Sequence, residues 1–400
     1  VSDLLHLDPR APSRRPRAEP SREDRLPQAQ PTPLREGRRL LLDLGPGAFE
    51  AEVGAVVRAL GEPAYRVRQI RDGVTRRLAG SFAELTDLPA PLRAELDRRF
   101  VTSSLEVEER AVSSDGTEKF LWRLADGREV ESVSIPSRRK LTFCISSQVG
   151  CPLACSFCAT GKLGYRRQLT AGEIVDQVRE MLRRTAPAAE GRDREPNLVF
   201  MGMGEPLLNL RNLFPALRFL NAPEFLAIGA RRITVSTSGV APAIPRLAEF
   251  NPQLRLAISL HAPNDALRDV LVPLNRRHPL SALLEACRAF ARATGKRITF
   301  EYVHLPGVND LPEHAPQLAS LLAGLPCKVN LIPYNPVPGL PYRAPTEAES
   351  EAFTGRLRAA VRCSVTLRRP RGRDIAAACG QLELERHPEA LPQPPPVVAG

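Results

Sequence analysis

Three cysteines fall close together as Cys151, Cys155 and Cys158 in CPLACSFC, a C-x3-C-x2-C pattern. Thiolates are soft ligands suited to iron–sulfur clusters or to zinc. A short loop with three such thiolates can wrap one corner of a cubane, each binding one iron, and leave the fourth iron open to a small molecule. Zinc usually takes a fourth protein ligand with its own paired spacing, and no second CxxC or HxxxH stands nearby to supply it. The spacing therefore favours an iron–sulfur centre over zinc. Cys287, Cys327 and Cys363 carry no motif and read as small buried hydrophobes.

The loop needs a scaffold, and from residue 141 onward strand and helix patterns alternate. Strand candidates are LTFCI (141–145), NLVFM (197–201), RITVS (232–236), RLAIS (255–259), RITFEYV (297–303), KVNLI (328–332) and SVTLR (364–368). Two intervening helices open with Thr-x-x-Glu capping boxes, Thr170/Glu173 and Thr346/Glu349. This alternation predicts a parallel sheet with right-handed crossovers. Six such units are too few to close an eight-fold barrel, so an open, partial α/β barrel is expected, with ligands at the carboxyl ends of its strands.

Upstream, Asp115-Gly116 and Asp126-Gly127 sit between alternating segments and predict β-hairpins. Before them, Val67, Ile70, Val74 and Leu78 recur at helical spacing, with Arg66, Arg68, Arg71, Arg76 and Arg77 on the other faces. Such a helix could lie along phosphates or simply present solvated charge. The chain thus divides into a disordered Pro/Arg-rich tail (1–39), a helical domain (40–103), a β-hairpin extension (104–140), the partial barrel (141–382) and a C-terminal tail (383–400).

Composition narrows the setting. No apolar run approaches the ~18 residues of a membrane span, and Arg14-Arg15 is followed by no apolar stretch that would make it an export signal. Eight cysteines without such a signal suit a reducing compartment, hence a cytoplasmic protein. A net charge of +11 favours a polyanionic partner such as RNA or DNA, although a solvated basic surface would look the same.

Several segments together narrow the chemistry. CISSQVGCPLACSFCATG (144–161), MGMGEPLLN (201–209), VSTSGV (235–240), SLHAPND (259–265), GVND (307–310), NLIPYNP (330–336) and RGRDIAAACGQL (371–382) resemble the bacterial radical S-adenosylmethionine (SAM) methyltransferases of adenine carbon 2 in RNA, over roughly residues 60–382. The resemblance implies a radical SAM-type open six-fold βα barrel, one 4Fe-4S cluster on Cys151, Cys155 and Cys158, and SAM as cofactor. It further implies 23S rRNA and tRNA as substrates, an electron donor such as flavodoxin, and a monomer. The family methylates a protein cysteine by displacement, because adenine carbon 2 is electron-poor and its C–H bond unactivated. A 5′-deoxyadenosyl radical from a second SAM then takes hydrogen from that methyl, and a second cysteine resolves the protein–RNA adduct through a disulfide.

By the same resemblance Cys379 is the methyl carrier, Cys144 the resolving thiol and Glu131 the proton acceptor. Gly204, Glu205, Ser236, Ser259, Leu260, His261 and Asn335 match the cofactor contacts. Period-2 alternation separately places Glu131 on one face with Val133 and Ile135, where a carboxylate tends toward the raised pKa of a general base. On these residues alone, an edge-strand glutamate paired with an arginine is the stronger reading. Two alternatives stand beside carbon-2 methylation: the related carbon-8 adenine methyltransferases, and a non-catalytic RNA-binding iron–sulfur protein. The Pro206-Leu-Leu-Asn run after MGMGE and the joint presence of Cys144, Cys379 and Glu131 speak against them.

Overall fold

The computed structural model describes residues 37–137, 140–185, 195–369 and 371–377. Cys379, the expected C-terminal tail and nearly all of the expected N-terminal tail lie outside the described residues.

A short strand β1 (Arg39–Leu40) pairs in parallel with β2 (Phe100–Val101) and so ties off three helices, α1 (Gly45–Ala59), α2 (Tyr65–Thr75) and α3 (Ala90–Arg99). The expected apolar stripe of α2 is buried at Val67, Ile70 and Val74, but the helix stops at Thr75 and Leu78 stands beyond it with a φ of 58°. Arg66, Arg71 and Arg77 are engaged by Glu62, Glu50 and Asp87, so part of the expected cationic face is already neutralised locally.

Three strands then form an antiparallel meander, β3 (Glu106–Val112), β4 (Glu118–Arg123) and β5 (Glu129–Pro136). Both Asp-Gly turns form as expected, with Gly116 and Gly127 at φ of 80° and 79°, conformations glycine adopts without steric cost. The meander continues antiparallel into β6 (Leu141–Cys144). After β6 come the short pair β7 (Gln148–Gly150) and β8 (Tyr165–Gln168), which bracket the cysteine loop and α4 (Ala159–Lys162), and then α5 (Ala171–Arg184).

From there the alternation runs as read: β9 (Asn197–Phe200), α6 (Leu210–Asn221), β10 (Ile233–Thr237), α7 (Ile244–Phe250), β11 (Arg255–Ser259), α8 (Asp265–Leu271), α9 (Leu280–Thr294), β12 (Ile298–His304), α10 (His314–Leu321), β13 (Cys327–Pro333), α11 (Glu347–Ala360) and β14 (Ser364–Leu367). Strands β6 and β9 to β14 are parallel, and with β3–β5 they make one ten-stranded sheet in the order β14-β13-β12-β11-β10-β9-β6-β5-β4-β3. The barrel is open, since β14 and β3 are edges that do not pair with each other. Both capping boxes form: Thr170 and Thr346 each accept from the amide of the glutamate three residues on, at 3.1 Å, and each glutamate accepts from the threonine amide. No helix among the described residues is long and apolar enough to cross a membrane.

Helix α5 joins the parts. Buried Arg179 donates to the carbonyls of Val74 and Ala79 near the end of α2, and pairs with Asp176 and Glu180 on its own helix. Asp176 in turn accepts from the Ser103 hydroxyl and the Ser104 amide, both at 2.8 Å, at the start of the meander. One apolar core runs continuously through the helical unit and the barrel, with Phe49 of α1 edge-on to Phe225 at 5.4 Å. Arg179→Ala is expected to cost about 3–5 kcal/mol, because it takes a buried cation from Asp176 and Glu180 and the donor from the Val74 and Ala79 carbonyls. A lowered urea midpoint in equilibrium unfolding is the check, and an unchanged midpoint would show that the network does not hold the units together.

Candidate active site

The cysteine loop leaves β7 at Gly150 and is pinned at both ends. Cys151 N–H donates to the Gly164 carbonyl at 3.1 Å, Ser156 N–H to the Leu271 carbonyl at the end of α8 at 3.1 Å, and the Ser156 and Tyr342 hydroxyls share a 2.7 Å hydrogen bond. Cys151 and Cys155 are buried and Cys158 is half-buried. All three border one cavity of about 970 Å³, its open mouth included, at the carboxyl ends of the strands.

Of the residues expected to touch cluster or cofactor, Gly204, Glu205, Ser236, Ser259, His261 and Asn335 line this cavity together with the three thiols. Leu260 does not. Its side chain is fully buried in the main apolar core, because alternation along β11 turns it away from the side that Ser259 and His261 face. The Leu260 carbonyl accepts from Arg268.

Several of these side chains are held before any ligand arrives. Glu205 accepts from Leu207 N–H at 3.0 Å and from Ser238 N–H at 2.7 Å, which aims its carboxylate into the cavity. His261 adopts a left-handed φ of 60°, accepts from Val303 N–H on Nδ1 at 3.0 Å, and meets the edge of Phe157 at 4.8 Å. Burial, and then the Arg268 guanidinium, press its pKa down to about 3. It is therefore neutral, and with Nδ1 accepting, the hydrogen-bond assignment leaves Nε2 as a donor.

Three functional residues escaped the sequence. Buried Arg268 of α8 donates to the carbonyls of Ser238, Ser259 and Leu260, fixing the ends of β10 and β11 under the cavity. Glu301 of β12 lines the cavity, with Oε1 accepting from Asn330 at 3.0 Å and Oε2 buried without a hydrogen-bond partner. Burial raises its pKa, against the pull of Arg368 and Asn330. Tyr334 also faces the cavity with an unpartnered hydroxyl. Arg268 and Glu301 stand in no motif, whereas Tyr334 lies within the NLIPYNP run (330–336) beside Asn335 but is not singled out by it.

Glu131 and Cys144 do not line the cavity, but strand register puts them on the same face as residues that do. Directly partnered residues of neighbouring strands point to one side of a sheet, and so do residues two apart on one strand. Val133 partners Cys144, Cys144 partners Val199, and Val199 partners Thr234. Two residues on from Thr234, Ser236 partners Ala257, and two on again Ser259 partners Glu301. Glu131, Cys144, Ser236, Ser259 and Glu301 therefore share the inner face. Glu131 lies on an interior strand and not on an edge, and its buried carboxylate pairs with Lys119, Nζ to Oε1 3.4 Å, in place of the arginine that the competing reading supposed.

The donor set fits an iron–sulfur cluster. Burial pushes the Cys151 thiol well up and Cys155 up to about 12, and the neighbouring thiols add to both, so the loop disfavours thiolates without a cation. Among the described residues, however, no three ligand side chains are gathered as one metal ion requires. A cubane would take each of the three thiolates on a different iron.

Comparison with known proteins agrees with this geometry. Residues 145–321 match the family model of the radical SAM superfamily. A dual-specificity RNA methyltransferase RlmN of Anaeromyxobacter sp. (strain Fw109-5) is 50% identical over 346 residues, 86% of this chain and 91% of that protein. A probable dual-specificity RNA methyltransferase RlmN of Gemmatimonas aurantiaca is 49% identical over 88% of this chain and 95% of its own. The crystal structure of a radical SAM methyltransferase from Sphaerobacter thermophilus superimposes with a TM-score of 0.80 at 47% identity, covering 86% of this chain and 98% of that one. With the thiol loop, the open barrel and this degree of identity along nearly the whole length of its relatives, the chain belongs to the RlmN family of radical SAM RNA methyltransferases.

Proposed function

We propose that this enzyme methylates carbon 2 of adenine in 23S rRNA and in tRNA, using SAM both as methyl donor and as radical source. The observation that carries the reading is the inner face shared by Glu131, Cys144, Ser236 and Ser259: a base and a thiol beside the cofactor pocket. The names of the relatives, dual-specificity RNA methyltransferases, support the substrate class.

Cys151, Cys155 and Cys158 would hold a 4Fe-4S cluster, which would supply the electron that cleaves SAM. Glu205 receives the cofactor's ammonium, and Ser236, Ser259, His261 and Asn335 offer polar contacts along the cavity. Cys379 Sγ attacks the sulfonium methyl, losing its thiol proton as S-adenosylhomocysteine departs. Glu131 takes the proton from carbon 2, with Lys119 beside it to balance the carboxylate. Cys144, giving up its thiol proton, then attacks Cys379 Sγ: the sulfur–sulfur bond forms as the sulfur–carbon bond breaks, and the released methylene takes a proton to become the methyl group of the base. Flavodoxin is the proposed type of electron donor, and the enzyme is proposed to act as a cytoplasmic monomer.

The test is anaerobic reconstitution followed by iron counting and RNA mass spectrometry. About four irons per chain, release of 5′-deoxyadenosine with reductant and SAM, and 2-methyladenosine in both RNAs are expected. Zinc in place of iron would overturn the radical chemistry, and 8-methyladenosine would overturn the position.

A further inference from the structure

The turn between β3 and β4 and the segment that follows β14 belong to opposite ends of the ten-stranded sheet, yet they touch. Asp374 accepts from the Ser113 hydroxyl on Oδ1 at 2.6 Å and from Ser114 N–H on Oδ2 at 3.0 Å. In return Asp115, inside that turn, accepts from Gly372 N–H at 3.2 Å and lies 3.7 Å from the Arg371 guanidinium. Each partner thus contributes one aspartate that holds the other's backbone. Between the two contacts, Arg373 Nε donates to Asn335 Oδ1 on the cofactor cavity at 2.9 Å. The segment folds on itself through Ala377 N–H to the Gly372 carbonyl at 2.9 Å, and Ala377 is buried in the core.

We propose that this reciprocal Asp115–Asp374 clasp spans the open side of the barrel and sets the position of the chain leading to Cys379, with both aspartates acting as positioning residues for methyl loading of that thiol. The inference rests on the reading of Cys379 as methyl carrier. Only Ala378 separates Cys379 from Ala377, a Cα path of at most about 7 Å, so an anchored Ala377 limits where the thiol travels. Hydrogen bonds to ionised carboxylates are the stronger kind, and here two of them act on facing backbones across a gap that no strand pairing bridges.

The test uses the reconstituted full-length enzyme with SAM and reads S-methylation of Cys379 by peptide mass in a single turnover. Asp374→Ala and Asp115→Ala are expected to slow loading at saturating SAM by about tenfold or more, the scale of a misplaced reacting group. The SAM concentration for half-maximal rate and the iron content should not change. Asp374→Asn keeps an acceptor for Ser114 N–H and should recover most of the rate. Wild-type loading in both alanine variants would overturn the proposal, as would a loss matched by unfolding and not restored in Asp374→Asn. If the wild-type chain takes no methyl on Cys379, the reading of that cysteine fails. Amide exchange at Ser114 then decides the clasp: faster in Asp374→Ala supports it, unchanged overturns it.

Discussion

Cys379→Ala enzyme is expected to form no 2-methyladenosine, a loss beyond about 10⁴-fold of the kind that follows removal of a covalent nucleophile, while keeping its iron. The three thiols lie in the loop between β7 and α4, which Gly164, Leu271 and Tyr342 hold by hydrogen bonds. Cys144→Ala should behave differently. Its thiol sits at the end of β6, partnered by Val133 and Val199 and buried, so the smaller side chain is tolerated sterically. Without a resolving thiol the base stays joined to Cys379, and the protein should migrate with RNA on a denaturing gel. The double variant should lose that adduct. An adduct that persists in the double variant would mean another residue carries the methyl, and no adduct in Cys144→Ala alone would remove Cys144 from the resolving role.

Gly204→Ala is expected to weaken SAM binding by at least about tenfold, equivalent to about 1.4 kcal/mol, with iron content unchanged. Gly204 has a φ of 95°, and a Cβ there would stand 2.5 Å from Gln148 Cβ and 2.7 Å from its Cγ. Gln148 has no room to withdraw: its Oε1 accepts from Glu205 N–H at 2.8 Å and its Nε2 donates to Gln168 at 2.9 Å. The strained φ alone costs about 1–3 kcal/mol. Relief must come from the Gly204–Glu205 segment, which turns the Glu205 carboxylate off its aim. Equilibrium SAM binding to reconstituted protein measures the effect, and unaltered affinity would show that Glu205 is not set by this packing.

What the sequence made legible was local. The Asp-Gly turns, the two capping boxes and the strand alternation each depend on residues a few positions apart, and each formed as read. Leu260 shows what alternation adds to a motif match: the period-2 rule applied to Ser259-Leu260-His261 turns its side chain toward the core, where it lies. Leu78 was placed on α2 by spacing, whereas the backbone leaves the helix at Thr75. Arg268, Glu301 and Arg179 act through groups far along the chain, so no spacing announces them. The common face of Glu131 and Cys144 depends on which strands pair, and in what register, a property that emerges only when β5 docks on β6.

That docking also governs how the molecule avoids sticking to its neighbours. β6 is covered on one side by β5 and on the other by β9, so its Leu-Thr-Phe-Cys backbone is never offered to solvent as a template. The free borders of the sheet fall instead on β3, whose exposed positions include Glu106, Glu109 and Arg110, and on β14, four residues long and followed by Arg368 and Arg369. Charge and shortness are the usual means of discouraging edge-to-edge association. A chain begun at Leu141, though it would keep the thiol loop and the cofactor pocket, would expose an apolar border and tend to self-associate through it.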